Sequence, residues 1–79
     1  MSMYIDQIEL GNNIYHAIKN IGMTETRLAD ELDVGIVSVC RWVNGHSKPT
    51  LTNLLKISLI THTSVDTLVN GVIRHDNAI

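Results

Sequence analysis

The stretch that decides the fold is TETRLADELDVGIVSVCRWVNG, which runs from Thr24 to Gly45. Thr24 is a favourable helix N-cap, and Asp33 is one of the few non-glycine residue types that tolerate the left-handed conformation of a tight turn. The pair Asn44-Gly45 ends a second helix, since both residues reach positive φ easily. The stretch therefore predicts two short helices joined by a tight turn, a helix-turn-helix over residues 24–45. Apolar residues recur at helical spacing on both sides of the turn, and they are Leu28, Ala29, Leu32, Val39, Trp42 and Val43.

The segment before this stretch predicts a first helix. Asp6 and Glu9 suit a capping box at its start, and Gly22 suits its C-terminal end. Gly11 inside the helix costs roughly 1 kcal/mol against alanine, which indicates either fraying or a tight contact at that point. Residues 1–5 show no pattern and are expected to be flexible. The core candidates of this helix are Leu10, Ile14, Ala17, Ile18 and Ile21.

Two more helices are predicted after the helix-turn-helix. Pro49 and Thr50 introduce a helix over about residues 51–60, because proline readily precedes a helix and threonine caps it. Ser64 caps a last helix that ends near Val69, whereas residues 72–79 show no period and are expected to be flexible. The whole chain suits one all-α domain over residues 1–79. The core candidates of the fourth helix are Leu51, Leu54, Leu55 and Ile57.

Composition limits the classes of protein that fit this chain. A content of 44% hydrophobic and 18% charged residues is typical of a globular domain. The single cysteine suits a reducing cytoplasm, and the absence of a long apolar run or a signal pattern argues against a membrane partner. The four histidines and one cysteine lack metal-ligand spacing, so we expect no metal and no cofactor. No nucleophile elbow surrounds Ser38, and we expect no enzyme.

The charges are distributed unevenly, although the net charge is −2. Between Val34 and Val65 there is no acidic residue, whereas Arg41, Lys48 and Lys56 lie in that interval. A basic half of this kind favours an anionic partner, with segregation by chance as the alternative.

From about Leu10 to Val69 the chain resembles the Xre-type repressors, the phage Cro/repressor family of helix-turn-helix proteins. The resemblance implies a compact five-helix, lambda-repressor-like fold that docks its third helix in the major groove of double-stranded DNA. It also implies a transcriptional regulator of phage, prophage or bacterial repressor type that binds an operator as a homodimer. The residues that carry the resemblance are Leu28-Ala29, Leu32, Val34, Ser38-Val39, Arg41-Trp42, Asn44-Gly45, Pro49-Thr50-Leu51 and Leu54-Leu55-Lys56.

The resemblance also implies which residues contact DNA. Base-facing positions fall on Ile36, Val37, Cys40 and Arg41. Arg41 is the strongest of these, because arginine can donate two hydrogen bonds to guanine N7 and O6. Ile36 and Val37 replace the usual polar residues, yet they can contact thymine methyl groups. Phosphate contacts are expected where polar and basic groups cluster, at Ser38, Asn44, His46, Ser47 and Lys48.

Glu25 departs from the family pattern, which usually has glutamine at the start of the second helix. A carboxylate there repels phosphate, although it can accept a hydrogen bond from cytosine N4. Favourable placement at a helix N-terminus is the simpler explanation. Glu25 and the apolar Ile36 and Val37 support a second hypothesis. According to this hypothesis the protein has the same fold but acts as a protein-interaction module, such as an antirepressor or an antitoxin-like partner, with weak or no DNA binding.

A dimer interface is also expected from the comparison with the family. Leu59 stands where a polar, exposed residue is usual. An apolar patch larger than a monomer normally exposes marks an interaction site. The expected interface consists of Leu59, Ile60, Val65, Val72 and Ile73.

Overall fold

The computed structural model describes residues 2–76, and within this range five helices surround one hydrophobic core. The predicted all-α helix-turn-helix domain is confirmed, with a two-stranded antiparallel sheet added to it. Met1 and residues 77–79, which belong to the ends expected to be flexible, lie outside the described residues. The elements in chain order are β1 Met3–Ile5, α1 Gln7–Asn20, α2 Glu25–Leu32, α3 Ile36–Val43, α4 Leu51–Thr61, α5 Val65–Leu68 and β2 Ile73–His75.

Side-chain caps fix where four of the helices begin. The Asp6 carboxylate accepts a hydrogen bond of 3.0 Å from the backbone N–H of Glu9. The hydroxyls of Thr24, Thr50 and Ser64 accept equivalent bonds of 3.1, 3.2 and 3.1 Å. Each bond satisfies one of the N–H groups that a helix start leaves without a partner. The four cap residues are the ones that the sequence predicts.

The two ends of the chain pair with each other. Met3 lies opposite His75 and Ile5 lies opposite Ile73 in the antiparallel ladder. The Asp6 N–H, which the predicted capping box assigns to Glu9, instead donates to the carbonyl oxygen of Val72 at 2.7 Å. The structure therefore differs from the expected flexible ends at residues 3–5 and 73–75. Pairing between segments about seventy residues apart leaves no local pattern that a sequence reading detects.

Asp6 gives a prediction about stability in acid. The backbone N–H of Glu9, together with the guanidinium of Arg74 at 3.2 Å, holds the pKa of Asp6 below its ordinary value of 3.8. Because the folded-state pKa is lowered, the ionised group adds stability above pH 3.8, and this stability is lost as the pH falls further. Asp6→Asn keeps a capping side chain. It should therefore flatten the acid side of the unfolding curve, measured by circular dichroism.

The matched control for this measurement is Asp30→Asn, which changes an exposed acid in α2. Its acid unfolding curve should keep the slope of the parent protein. Identical slopes for Asp6→Asn and the parent protein below pH 3.8 would contradict the assigned role of Asp6.

The core draws on all five helices and on the residue before β2. Most of the predicted core residues are confirmed, but Ile21 is 41% exposed. Ile21 is the C-cap of α1, where the helix ends and the chain turns away from the core. Val72, expected in the dimer interface, is a core residue and only 4% exposed. The buried apolar residues are Leu10, Ile14, Ala17, Ile18, Leu28, Ala29, Leu32, Val39, Trp42, Ile57, Leu68 and Val72.

The prediction for α4 is partly wrong. Ile57 is buried and Leu54 packs against the core, as expected. Leu51 and Leu55, also expected in the core, are 70% and 46% exposed. α4 carries apolar residues around most of its circumference, so spacing alone does not show which face points inward. The third position on the inward face is Thr61, whose hydroxyl donates to the carbonyl oxygen of Ile57 at 2.7 Å.

Gly11 allows α1 to lie directly against the C-terminal end of α3. A Cβ atom at this position would lie 2.6 Å from the carbonyl oxygen of Val43 and closer still to that of Trp42. Real Cβ atoms essentially never approach another heavy atom so closely. Of the two alternatives for Gly11, the tight contact is therefore confirmed. The contact fixes the position of α3, which carries the four predicted base-facing residues.

Candidate nucleic-acid interface

The turn between α2 and α3 presents one face of α3 to solvent. Asp33 adopts the left-handed conformation, with φ 55° and ψ 47°, as predicted. Val39 and Trp42 then point into the core with 0% and 6% exposure. The opposite side of α3 is left for contacts with other molecules, because inward and outward residues follow the helical period.

The four predicted base-facing residues lie together on this outer side of α3. Val37 is 68% exposed and Ile36 is 40% exposed. Arg41 is exposed, and Cys40 is half-buried with its thiol beside Glu25 at the start of α2. Two apolar side chains, a thiol and a guanidinium therefore form one surface, which we call the α3 reading face. It is defined by Ile36, Val37, Cys40 and Arg41.

Arg41 differs from other arginines in having no ionic partner. Arg27 pairs with Glu31 at 2.9 Å. Arg74 pairs with Asp6 at 3.2 Å. Within residues 2–76, no acidic group lies within ion-pair distance of Arg41. Its guanidinium thus keeps all five N–H donors available for an anionic or base-edge acceptor.

Glu25 lies beside the α3 reading face. Burial raises the pKa of the Cys40 thiol, and the neighbouring Glu25 carboxylate raises it further. The thiol therefore stays protonated at neutral pH, which makes Cys40 a poor nucleophile. Glu25 belongs to the first turn of α2, where the helix dipole favours an acid. The Glu25 carboxylate thus has a favourable helix position and lies near Cys40 of the α3 reading face.

The loop after α3 is anchored to the same helix. The N–H groups of His46 and Ser47 both donate to the carbonyl oxygen of Arg41, at 2.9 and 3.4 Å. The side-chain amide of Asn44 donates to the carbonyl oxygen of Cys40 at 2.8 Å. Asn44 thus uses one of its donors to hold the end of α3, which leaves one N–H for the predicted phosphate contact. Ser38 is half-buried within α3 itself.

A shallow open depression lies beside this loop, with a volume of about 480 Å³. Three predicted phosphate-contact residues, His46, Ser47 and Lys48, line it together with Pro49 and Thr50. Gln7 from the start of α1 closes the depression, and its buried Oε1 atom has no hydrogen-bond partner among residues 2–76. Gln7 is a residue that the sequence reading missed. Its place beside the loop depends on the crossing of α1 and α3, which no local pattern encodes.

The expected dimer residues do not form one exposed surface. Leu59 is 76% exposed on α4 and Ile73 is 54% exposed on β2, whereas Val72 is buried. Ile60 and Val65 are half-buried. The main contacts of α4 are with α2, α5 and α1, while β2 packs against β1. Leu59 and Ile73 therefore lie on different elements, and Val72 adds no exposed side chain to them.

Within residues 2–76, no group of three or more histidine, cysteine or acidic side chains is placed to hold a metal ion. None of the helices there has the length and hydropathy needed to cross a membrane.

This chain matches a helix-turn-helix family model and one curated transcriptional regulator. Residues 14–68 match a family model described as helix-turn-helix. The chain is 32% identical over 69 residues to the HTH-type transcriptional regulator DicA of Escherichia coli (strain K12). That alignment covers 87% of this chain and 51% of DicA, so the chain spans about half the length of this curated relative.

Solved structures share the fold. The restriction-modification controller protein C.AhdI from Aeromonas hydrophila superposes with a TM-score of 0.73 at 20% identity, covering 82% of this chain and 98% of that one. Hydroxypropylphosphonic acid epoxidase from S. wedmorenis superposes with a TM-score of 0.73 at 24% identity. That match covers 82% of this chain but 35% of the epoxidase. At these identities the two likenesses show the fold alone.

Proposed function

Because this chain belongs to the helix-turn-helix family of Xre-like DNA-binding regulators, we propose that it is a sequence-specific transcriptional regulator of repressor type. It binds an operator as a homodimer, with α3 in the major groove of each half-site. Two α3 helices about 34 Å apart would then lie one helical turn apart on the same side of the duplex. The regulator DicA, an E. coli relative, supports the regulatory part of this proposal.

The observation that carries the proposal is the free guanidinium of Arg41 on the α3 reading face. An exposed, unpaired arginine on an outward helix face is the group that reads guanine most often, through N7 and O6. Ile36 and Val37 lie beside it and suit thymine methyl groups. Cys40 adds a small side chain whose thiol stays protonated at neutral pH, because burial and Glu25 raise its pKa.

The loop after α3 supplies the contacts that orient the protein on the duplex. His46, Ser47 and Lys48 line one depression, and we assign its occupant as a backbone phosphate. Ser38 and the remaining donor of Asn44 are assigned to neighbouring phosphates. Contacts of this kind set register and affinity without reading sequence.

We further propose that the regulator acts in the cytoplasm, without a cofactor or metal and without enzymatic activity. Its single cysteine suits a reducing compartment. Control of its activity then comes from its own concentration or from a regulatory protein partner.

The alternative function, a protein-interaction module on the same fold, is favoured by the exposed Ile36 and Val37. Salt dependence separates the two. The affinity of a DNA-binding protein falls steeply with salt, with a logarithmic slope of about −0.9 for each phosphate neutralised. Fluorescence anisotropy with a labelled duplex should give such a slope for this protein. Duplex binding that is absent at low salt would favour the protein-interaction module.

Glu25→Gln tests the unusual acid beside the α3 reading face. Removing its charge should raise duplex affinity by roughly three- to tenfold at low salt, and the gain should shrink as salt screens the charge. The same substitution should lower the pKa of the Cys40 thiol, measured by its rate of alkylation, because Glu25 raises that pKa.

Glu31→Gln is the control for this substitution, since it changes an exposed acid in the same helix that pairs with Arg27. It should leave duplex affinity close to that of the parent protein. A lower affinity for Glu25→Gln, confined to sites with a particular cytosine, would show instead that Glu25 accepts a base hydrogen bond.

A further inference from the structure

α4 exposes a row of three leucines that the monomer does not use. Leu51, Leu55 and Leu59 are 70%, 46% and 76% exposed. They are spaced by four residues, so they lie one above the other along one side of the helix. We call this row the α4 leucine face. It is separate from the inward side of α4, where Ile57 and Thr61 are buried.

The α4 leucine face carries no charge. Lys56 is the single charged residue of α4, and the helix has no acidic residue. The largest apolar patch of a typical monomer covers about 300–600 Å². Three leucines that are 70%, 46% and 76% exposed in one row form a patch that approaches this size. A partner would therefore bind this row through apolar contact, because Lys56 is the single charged side chain that α4 offers.

We propose that the α4 leucine face binds the same face of a second copy of this chain, with the two helices antiparallel. The twofold axis passes beside Leu55, so that each Leu55 meets its counterpart. Leu51 of one copy then packs against Leu59 of the other, because these residues lie equally far from Leu55 in opposite directions. A surface with this internal symmetry is self-complementary, which is the requirement for a twofold homodimer.

The area indicates a dimer of modest affinity. Each partner in a standard interface contributes about 800 Å², and three leucine side chains supply only part of that area. The neighbouring Thr52 and Ser58 and the aliphatic stem of Lys56 have to contribute the rest. Such a dimer forms at micromolar concentrations. Its apparent affinity increases when both copies bind one duplex, because the DNA raises their effective concentration.

The α4 leucine face and the α3 reading face can be used at the same time. α4 packs mainly against α2, α5 and α1, and the α4 leucine face shares no residue with the α3 reading face, which belongs to a different helix. Leu51 follows directly after Thr50, which lines the depression assigned to phosphate. Eight residues of α4, or about 12 Å along the helix, separate Leu51 from Leu59. The proposed interface rests on the proposed binding of the operator as a dimer. It lies on α4, and of the dimer residues expected from the sequence it retains Leu59.

Sedimentation equilibrium tests the inference on the full chain. The parent protein should dimerise in the micromolar range, and Leu55→Glu should weaken dimerisation by at least about tenfold, because two carboxylates would meet at the twofold axis. Ile73→Glu is the control, since Ile73 is 54% exposed on β2 and lies outside the α4 leucine face. It should dimerise as the parent does. A monomeric parent protein, an unchanged Leu55→Glu dimer or a dissociated Ile73→Glu variant would each overturn the inference.

Two further measurements keep folding and DNA binding apart from dimerisation. Circular dichroism should show the parent helix content for Leu55→Glu, because the side chain is already half exposed.

In a Cys40→Ser background, Leu51→Cys mixed with Leu59→Cys should form disulfide dimers that neither variant forms alone. Cross-linking without that preference would overturn the antiparallel arrangement. Leu55→Glu should still bind a single half-site. If neither the parent protein nor Leu55→Glu binds any duplex while the cross-link forms, the proposed function fails and the interface stands.

Discussion

Arg41→Ala should remove most of the preference of this protein for its operator over random DNA while leaving the fold intact. Arg41 is exposed, lies outside the core and has no ion pair within residues 2–76, so the monomer loses no internal contact. A bidentate arginine–guanine contact contributes about 1–3 kcal/mol of discrimination against the wrong base. A homodimer makes this contact twice, once in each half-site. The ratio of operator to random-duplex affinity should therefore fall by roughly tenfold or more per half-site.

Arg27→Ala provides the matched control. Arg27 is an exposed arginine on α2 that pairs with Glu31 at 2.9 Å. Removing it changes the net charge by the same amount but leaves the α3 reading face untouched. Its operator preference should stay at the parent level. Equal preference in Arg41→Ala and the parent protein would remove Arg41 from base recognition, and α3 would then need another reading residue.

Gly11→Ala should destabilise the protein, although alanine is the better helix former. Propensity alone would favour alanine by roughly 1 kcal/mol in the interior of α1. The new Cβ would meet the carbonyl oxygen of Val43 at 2.6 Å, and the neighbouring Trp42 carbonyl would lie closer. Backbone atoms cannot rotate away as a side chain can, so α1 and α3 must separate. We expect a net loss of about 1–3 kcal/mol, as for other overpacked sites, measured by urea unfolding.

Asn12→Ala makes the comparison direct, because Asn12 is exposed and adjacent in the same helix. That substitution should be neutral or slightly stabilising, since alanine has the higher helix propensity. Because Gly11 contacts the end of α3, its replacement should also weaken operator binding more than the loss of stability explains. A Gly11→Ala protein as stable as Asn12→Ala would contradict the close crossing of α1 and α3.

The helix-turn-helix was predictable because its signals are local. Thr24 caps α2 through a bond that spans three residues, and Asp33 has the left-handed conformation that its residue type permits. The outward position of Arg41 follows from the inward position of Trp42 by the helical period alone. These features depend on the chain within a few residues, and a single sequence contains that information.

The features that were missed depend on contacts distant in sequence. The β1–β2 ladder joins residues 3–5 to residues 73–75. Just before β2, the Asp6 N–H donates to the carbonyl oxygen of Val72, whose side chain lies in the core. Asn13 donates to the carbonyl oxygens of Leu68 and Asn70, which ties α1 to the end of α5. No periodic pattern marks such contacts.

α4 shows a third reason for error. Its apolar residues cover several faces, so the spacing of Leu51 and Leu55 fits a core position as well as Ile57 does. Which face turns inward is decided by the neighbouring helices α2, α5 and α1. The exposed leucines that result are the basis of the proposed dimer interface.

Recognition of a specific duplex sequence by the α3 reading face can be measured by selecting bound duplexes from a random pool. The selection should enrich a two-part, twofold-related site with half-sites one helical turn apart and a guanine in each half-site. The same selection with Arg41→Ala should lose that guanine. Recovery of duplexes without any shared sequence, despite binding at low salt, would contradict sequence-specific recognition by this face.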